Sequence, residues 1–305
     1  MYRYLGRRVL HSVGVLLGVL VLVFFLVQLV GDPVRLMLPS EVPNEVYVEL
    51  RRSLGLDRPV LVQFWDALSG WVRGDFGDSL WQGVPALPLA ASRIPATLLL
   101  TFATMVVAVP AAVLLGVLSA VRPGSIADRI ATVVSLAGVS IAEFWLALVL
   151  ILFFSVELGW FPTSGSGGLI FVVLPAVSLM FRPLGRIAQV TRSALVEQLE
   201  KPYVLTARAK GAGDLTIVRR HALKNASIPA VTVLGDELAV IINGAVVIET
   251  IFAWPGIGSL FIAAIERRDL PLIVACVFLI AVMVVVLNLL IDLLYLLIDP
   301  RTRSS

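Results

Sequence analysis

One cysteine, three lysines and two histidines in 305 residues are unusually few, and each scarcity closes off a class of function. Cys276 alone can form neither an intramolecular disulfide nor a thiolate metal site. A phosphate-cradling G-x-x-x-x-G-K-[ST] loop needs a lysine followed by Ser or Thr. Lys201, Lys210 and Lys224 are followed by Pro, Gly and Asn, so none fits. His11 and His221 lie in different segments, and no catalytic constellation gathers around either. Charge is scarce as well, at 15% of residues against 59% hydrophobic, where soluble domains carry ~25% charged residues. The apolar runs do not alternate with polar residues, which excludes transmembrane barrel strands. What is present is a series of apolar runs near the ~20 residues that cross a bilayer as a helix.

These runs predict an all-α, polytopic membrane protein with six transmembrane helices, at about 9–30, 97–120, 130–158, 169–190, 228–252 and 271–298. The first resembles a signal sequence, but Gly31-Asp32-Pro33 offers no small-x-small cleavage site, so it is read as an uncleaved span. Three regions follow from the pattern: residues 1–30, an external region at 31–96, and a five-span core at 97–305 with a cytoplasmic loop at 191–227 between the fourth and fifth spans. Trp65, Trp71 and Trp81 in the external region are either core residues of a small domain or interfacial anchors. With the N-terminus inside, sixteen of the 24 Lys and Arg fall toward the cytoplasmic side, counting Arg182 and Arg186 in the inner half of the fourth span, the asymmetry that sets orientation in the inner membrane. Both termini are then cytoplasmic. The net charge of +3 has the same origin, and nucleic acid is not called for.

The stretch 203–235 is a polar, basic interruption between two apolar runs. Thr206–Lys210 is helix-prone, Gly211 and Gly213 permit a sharp turn, and a second helical piece extends to about Leu223. Two short helices about a glycine hinge would form a knob suited to a groove on a soluble partner. The small residues Ala207, Ala209, Gly211 and Ala212 favour close approach; a plain basic loop near anionic lipid leaves them without a purpose.

This stretch resembles the cytoplasmic "EAA" loop of ABC importer permeases. Leu205-Thr206-Ala207 take the place of EAA, Gly211 that of the glycine, and His221-x-Leu223 that of I-x-L. The acid is missing, and Lys224 stands where the pattern has proline. Those departures are similar to the B-type subunits of dipeptide/oligopeptide permeases, in Thr206-Ala207-Arg208-Ala209-Lys210-Gly211 and in Arg220-His221-Ala222-Leu223-Lys224-Asn225-Ala226 with Pro229. Further matching residues run in order along the chain. They are Gly31-Asp32-Pro33, Leu54-Gly55-Leu56-Asp57-Arg58-Pro59, Gly74-Asp75-Phe76-Gly77, Phe144-Trp145, Glu249 through Gly258, and Asp299-Pro300-Arg301.

The resemblance implies a transport subunit and not an enzyme. It would form, with a second homologous permease, a path for di- and oligopeptides delivered by an extracytoplasmic solute-binding protein. Two separate ABC ATPase chains would bind ATP and Mg. On this resemblance Thr206, Ala207, Arg208, Ala209, Lys210, Gly211, Arg220, His221, Leu223 and Asn225 couple to the ATPases. Nickel, glutathione, haem-like or other small solutes are the alternative substrates, and a secondary transporter working alone is the alternative class.

Charges inside apolar spans are costly and mark pairs or pathways. Arg182 lies ten residues before Arg192, ~15 Å along a helix, and Asp236 and Glu237 lie at matching depth in the fifth span. Three readings stay open: an ion pair of Arg182 with Glu237 or Asp236, an Arg182 that meets an anionic substrate, or hydrated charges in a vestibule. Glu143 sits near mid-depth of the third span, and Ser140, Asn243 and Gly244 are further candidates for the path. Glu249, Trp254, Pro255 and Gly256 form a candidate outer gate or docking face, since Pro-Gly breaks a helix where backbone lines a cavity; the alternative is a plain turn with Trp254 anchored at the interface.

Overall fold

The computed structural model describes residues 2–30, 43–53 and 57–298. The motifs Gly31-Asp32-Pro33, Leu54-Gly55-Leu56 and Asp299-Pro300-Arg301 lie outside them. The described chain is helical, with one isolated β-bridge, Asp78 to Pro85. Four helical stretches are long and apolar enough to cross a membrane: Ala86–Val121, Ile170–Leu199, Pro229–Ile251 and Leu270–Ile291. A fifth candidate is a bent pair, Asp128–Ser140 with Glu143–Glu157. The apolar part of the first helix described here, Leu10–Leu26, is shorter. The chain forms two compact units, Met1–Ala96 with Pro255–Val286, and Thr97–Trp254 with Leu287–Ser305.

The first unit contains α1 (Tyr2–Val30), α2 (Asn44–Ser53), α3 (Val60–Val72), α4 (Ala86–Ala91), α12 (Ile257–Glu266) and the greater part of α13 (Leu270–Ile298). An aromatic chain runs through it. Phe24 of α1 meets Phe64 and Trp71 of α3 edge-on at 5.3 and 6.4 Å. Trp71 stacks on Phe76 at 6.1 Å, and Phe76 meets Phe278 of α13 at 5.0 Å. Trp71 is thus half-buried in this aromatic chain, while Trp65 and Trp81 are exposed. Asp269, fully buried, fastens the loop after α3 to the turn before α13. Its Oδ2 accepts from Ser79 Oγ at 2.5 Å and Trp81 N at 3.1 Å, and its Oδ1 accepts from Leu272 N at 3.2 Å.

The second unit is built around α8 (Ile170–Leu199), which packs on α6 (Ile126–Ser140), on α7 (Glu143–Leu150) and on α11 (Leu223–Ile251). Small residues set the spacing, as they do between membrane helices. Gly138 of α6 lies against the carbonyl of Phe181, and Gly185 of α8 lies against the backbone of Ser135. A Cβ at Gly185 would sit 2.6 Å from the Ser135 carbonyl oxygen. On the neighbouring face Gly116 of α5 (Ile94–Val121) sits in the same way against Thr191 and Ala188.

Three expectations change. The single straight third span, 130–158, is broken: α6 ends at Ser140, Ile141 and Ala142 are extended, and α7 resumes at 107° to α6. No proline lies in this run; α6 follows α8 through its glycine contacts and the chain then turns away. A π-helical turn, Ile151–Glu157, ends this segment. The fourth span continues as helix to Leu199, beyond 190, because its polar end finds partners described below. The second helix of the loop is not a separate piece. α10 (Asp214–Thr216) passes through a π-helical stretch, Ile217–Ala222, directly into α11, with helical backbone angles at both joints.

Candidate functional site

The basic loop begins where α8 leaves the apolar region. Lys201 Nζ meets Glu197 Oε1, one turn earlier, at 2.9 Å, and this hydrogen bond holds the ammonium above its ordinary value. Pro202 then opens α9 (Pro202–Ala209), its fixed φ suiting the first turn. Gly211 follows with φ of +85°, a left-handed backbone that glycine adopts without penalty. A Cβ there would meet nothing within 4 Å, so the turn is open to one side. Arg208 Nη2 bridges the turn to Asp214 at 3.4 Å.

The loop is fixed on its inner side and free on its outer side. Val204, Ile217, Val218, Ala222 and Ala226 are buried. Val218, Ala222 and Ala226 pack with Leu195 of α8 and Ala120 of α5. Asn225 donates to Tyr203 Oη at 3.4 Å, and Tyr203 donates to Gln198 at 2.9 Å, which joins the foot of α11 to α9 and α8. His221 is half-buried, and its carbonyl accepts from Asn225. Thr206, Arg208, Ala209, Lys210, Gly211 and Arg220 are exposed, and Ala207 and Leu223 half-buried. Leu215, Thr216, Arg219 and Arg220 line an open depression.

A second attachment lies just above this loop. Arg192 Nε is 2.9 Å from Asp128 Oδ1 and 2.8 Å from Ser119 Oγ. Ser119 donates to the same carboxylate, and Gly124 N donates to Asp128 Oδ2 at 2.8 Å. Asp128 itself sits in the first turn of α6 behind the N-cap Ser125, where a carboxylate complements the helix dipole. One buried acid therefore ties together α5, α6 and α8. Sequence reasoning missed it, although Asp128 is the one acid in the short basic turn 121–129.

Of the acids placed at the depth of Arg182, the structure brings Glu237 to it and leaves Asp236 exposed. Glu237 is 1% exposed. Its Oε2 lies 3.7 Å from Arg182 Nε, and its Oε1 lies 3.5 Å from Arg186 Nε. Two guanidinium groups of α8 thus share one buried carboxylate of α11. Oε2 has no hydrogen-bond partner, so the contact to Arg182 is a charge contact only.

Arg182 also faces an open cavity of about 390 Å³ at the break between α6 and α7. Glu143, Ser140, Asn243 and Gly244 line it too. The outer residues lie apart from this cavity. Glu249 is fully buried and its Oε1 accepts from Thr97 Oγ1 at 2.6 Å. Its carbonyl accepts from Trp254 N at 2.8 Å, and Ala253 between them has φ of +48°. Trp254 is buried; Pro255 is half-buried, and Gly256 caps α12. Gly165 N, in the 159–168 loop, donates to the Phe252 carbonyl at 2.8 Å.

Comparison with known proteins places this geometry in context. Residues 112–304 match the family model of the binding-protein-dependent transport system inner membrane component, and residues 1–101 match the N-terminal model of the same systems. The glutathione transport system permease protein GsiC of Escherichia coli K12 is 38% identical over 304 residues, covering 99% of each chain. GsiC of Salmonella typhi is similar to the same extent. Among solved structures, one chain of an amino acid ABC transporter superposes with a TM-score of 0.55 at 17% identity, over 68% of this chain and 93% of that one. A chain of the inward-facing MetNI methionine ABC transporter superposes with a TM-score of 0.53 at 23% identity, over 69% and 96%. These likenesses concern the fold.

Proposed function

This chain belongs to the family of binding-protein-dependent transport system inner membrane components and is an ABC importer permease, and from that premise we propose how it works. It pairs with a second homologous permease to form the path. Its exposed loop, 203–223, seats in a groove of an ABC ATPase chain, which supplies the ATP and Mg site. A solute-binding protein delivers cargo to the face bearing residues 57–96. Both termini are cytoplasmic, which leaves the loop on the side where ATP is found.

The observation that carries this reading is the asymmetry of the loop. Its buried apolar residues Val218 and Ala222 pack on α5, α8 and the foot of α11, while Leu205, Leu215, its arginines and the Gly211 turn are exposed. Because α11 begins inside the loop, a displacement of the loop moves a spanning helix directly.

The cargo is a small peptide. Glutathione, a tripeptide, is the solute for which the E. coli relative is named, which favours a peptide over metal ions or haem-like solutes. The test is uptake into proteoliposomes holding this chain, its partner permease, both ATPases and the binding protein. ATP-dependent accumulation of glutathione or of alanyl-alanine is expected. Accumulation without ATP, or of neither probe, would overturn the reading.

A further inference from the structure

We propose that the cavity at the α6–α7 break is a solute site belonging to the permease itself, in which Glu143 receives the cargo's ammonium group and Arg182 its carboxylate. This rests on the peptide-importer reading and adds to it a selection step within the membrane, after release from the binding protein.

The break itself is the first observation. Ile141 and Ala142 leave the helix with ψ of 126° and 129°. Interrupted backbone at membrane depth is tolerated where it is buried in protein or lines a water-filled cavity, and here both residues line one.

The charges are the second. The residues that line it come from α6, α7, α8 and α11. Only Glu143 and Arg182 among them are charged, and they carry opposite signs. Arg182 is not neutralised by a dedicated partner, since Glu237 is shared with Arg186 and makes no hydrogen bond through the oxygen nearer Arg182. Its guanidinium keeps donors for an incoming carboxylate, which it can grip with two parallel hydrogen bonds.

The third observation is how Glu143 is placed. Its carboxylate rests on Gly244 of α11, where any Cβ would collide with Oε2. Gly244 is a seat that lets the acid lie along the cavity wall. The volume, about 390 Å³, falls in the range of small-molecule sites and suits a solute of dipeptide size.

The test is equilibrium binding to the purified full importer, with its ATPases and without binding protein, using radiolabelled glutathione and alanyl-alanine. Each is compared with its N-acetylated and its carboxyl-esterified form. Glu143→Gln is expected to weaken the free-amine probes about tenfold or more, the size of a lost charge-assisted hydrogen bond, and to change the N-acetylated forms by less than about twofold. The double variant Arg182→Gln with Glu237→Gln removes both charges, and Arg186, the acid's other partner, is exposed and stays hydrated. The double variant is expected to weaken the free-carboxylate probes and spare the esters. Gly244→Ala should reproduce the Glu143→Gln pattern by displacing the acid. Assembly with the ATPases, read by size exclusion, separates misfolding from lost recognition. Equal losses for free and blocked probes, or no saturable binding by an importer that does accumulate them, would overturn the proposal and leave the importer reading standing. Failure to accumulate either probe overturns the peptide reading instead.

Discussion

Arg192 on α8 and Asp128 on α6 are 64 residues apart in sequence and 2.9 Å apart in space. Asp128 is 8% exposed, and Arg192 is its only cationic partner among the described residues. Removing one member of such a pair leaves the other poorly solvated. The guanidinium is partly exposed, so the cost lies between that of surface and buried pairs. Arg192→Ala is expected to destabilise by about 1–3 kcal/mol, and Asp128→Asn, which keeps an acceptor, by less. Thermal unfolding of the detergent-solubilised chain checks the order; equal or reversed losses would refute it.

The contact between Gly138 and the Phe181 carbonyl leaves no room for a side chain. Here the obstacle is backbone, which cannot rotate out of the way. Gly138→Val should therefore cost at least the 1–3 kcal/mol typical of overpacking and separate α6 from α8. Gly168→Val, where a Cβ meets nothing within 4 Å, is the control expected to fold normally. Yield of monodisperse protein after extraction is the measurement.

Gly211 presents the opposite case: open space, but a left-handed backbone. Asparagine tolerates that conformation and valine does not. Gly211→Asn should retain ATPase binding, whereas Gly211→Val, strained by about 1–3 kcal/mol, should lose it while the spans stay folded. Pull-down with the cognate ATPases distinguishes the two, and a Val variant that binds normally would show that the turn is not read.

In the first unit, Asp269 accepts three hydrogen bonds while fully buried. Asp269→Ala leaves Ser79 Oγ and the amides of Trp81 and Leu272 without this acceptor, at about 1–3 kcal/mol for each group left unpaired. The 78–85 loop should become a site of limited proteolysis in the variant and resist it in the wild type. Unchanged protease resistance would mean that other contacts hold the loop.

The sequence was most legible where one residue type has few reasons to be present. A basic, glycine-bearing stretch between apolar runs marked the loop, and counting 1.5 Å per residue put Arg182 level with Glu237. The broken third span was not legible. Residues 130–158 contain no proline and read as one apolar run, and the turn at Ile141 comes just after α6 packs on α8, which lies elsewhere in the chain. Glu143 was the trace of it: an acid at mid-span has a reason to exist if the helix stops beside it. A loop helix to about Leu223 and a fifth span from 228 would leave a gap across Lys224 and Asn225, just before Pro229. The foot of α11 stays helical through all three because Val218, Ala222 and Ala226 pack on α5 and α8. Pairs such as Asp128 with Arg192 and Ser79 with Asp269 are set by segments meeting far along the chain, and spacing along the sequence carries no record of that.

The unbroken path from Asp214 into α11 also fixes how this gene can change in length. One residue gained or lost between Asn225 and Glu237 would rotate everything beyond it by about 100° and shift it by ~1.5 Å. Glu237 would leave the two arginines, and Gly244 would leave Glu143, while the loop itself stayed intact. An insertion or deletion in this interval is therefore expected to break both contacts at once, so that the spacing between docking loop and cavity acts as a ruler built into the fold.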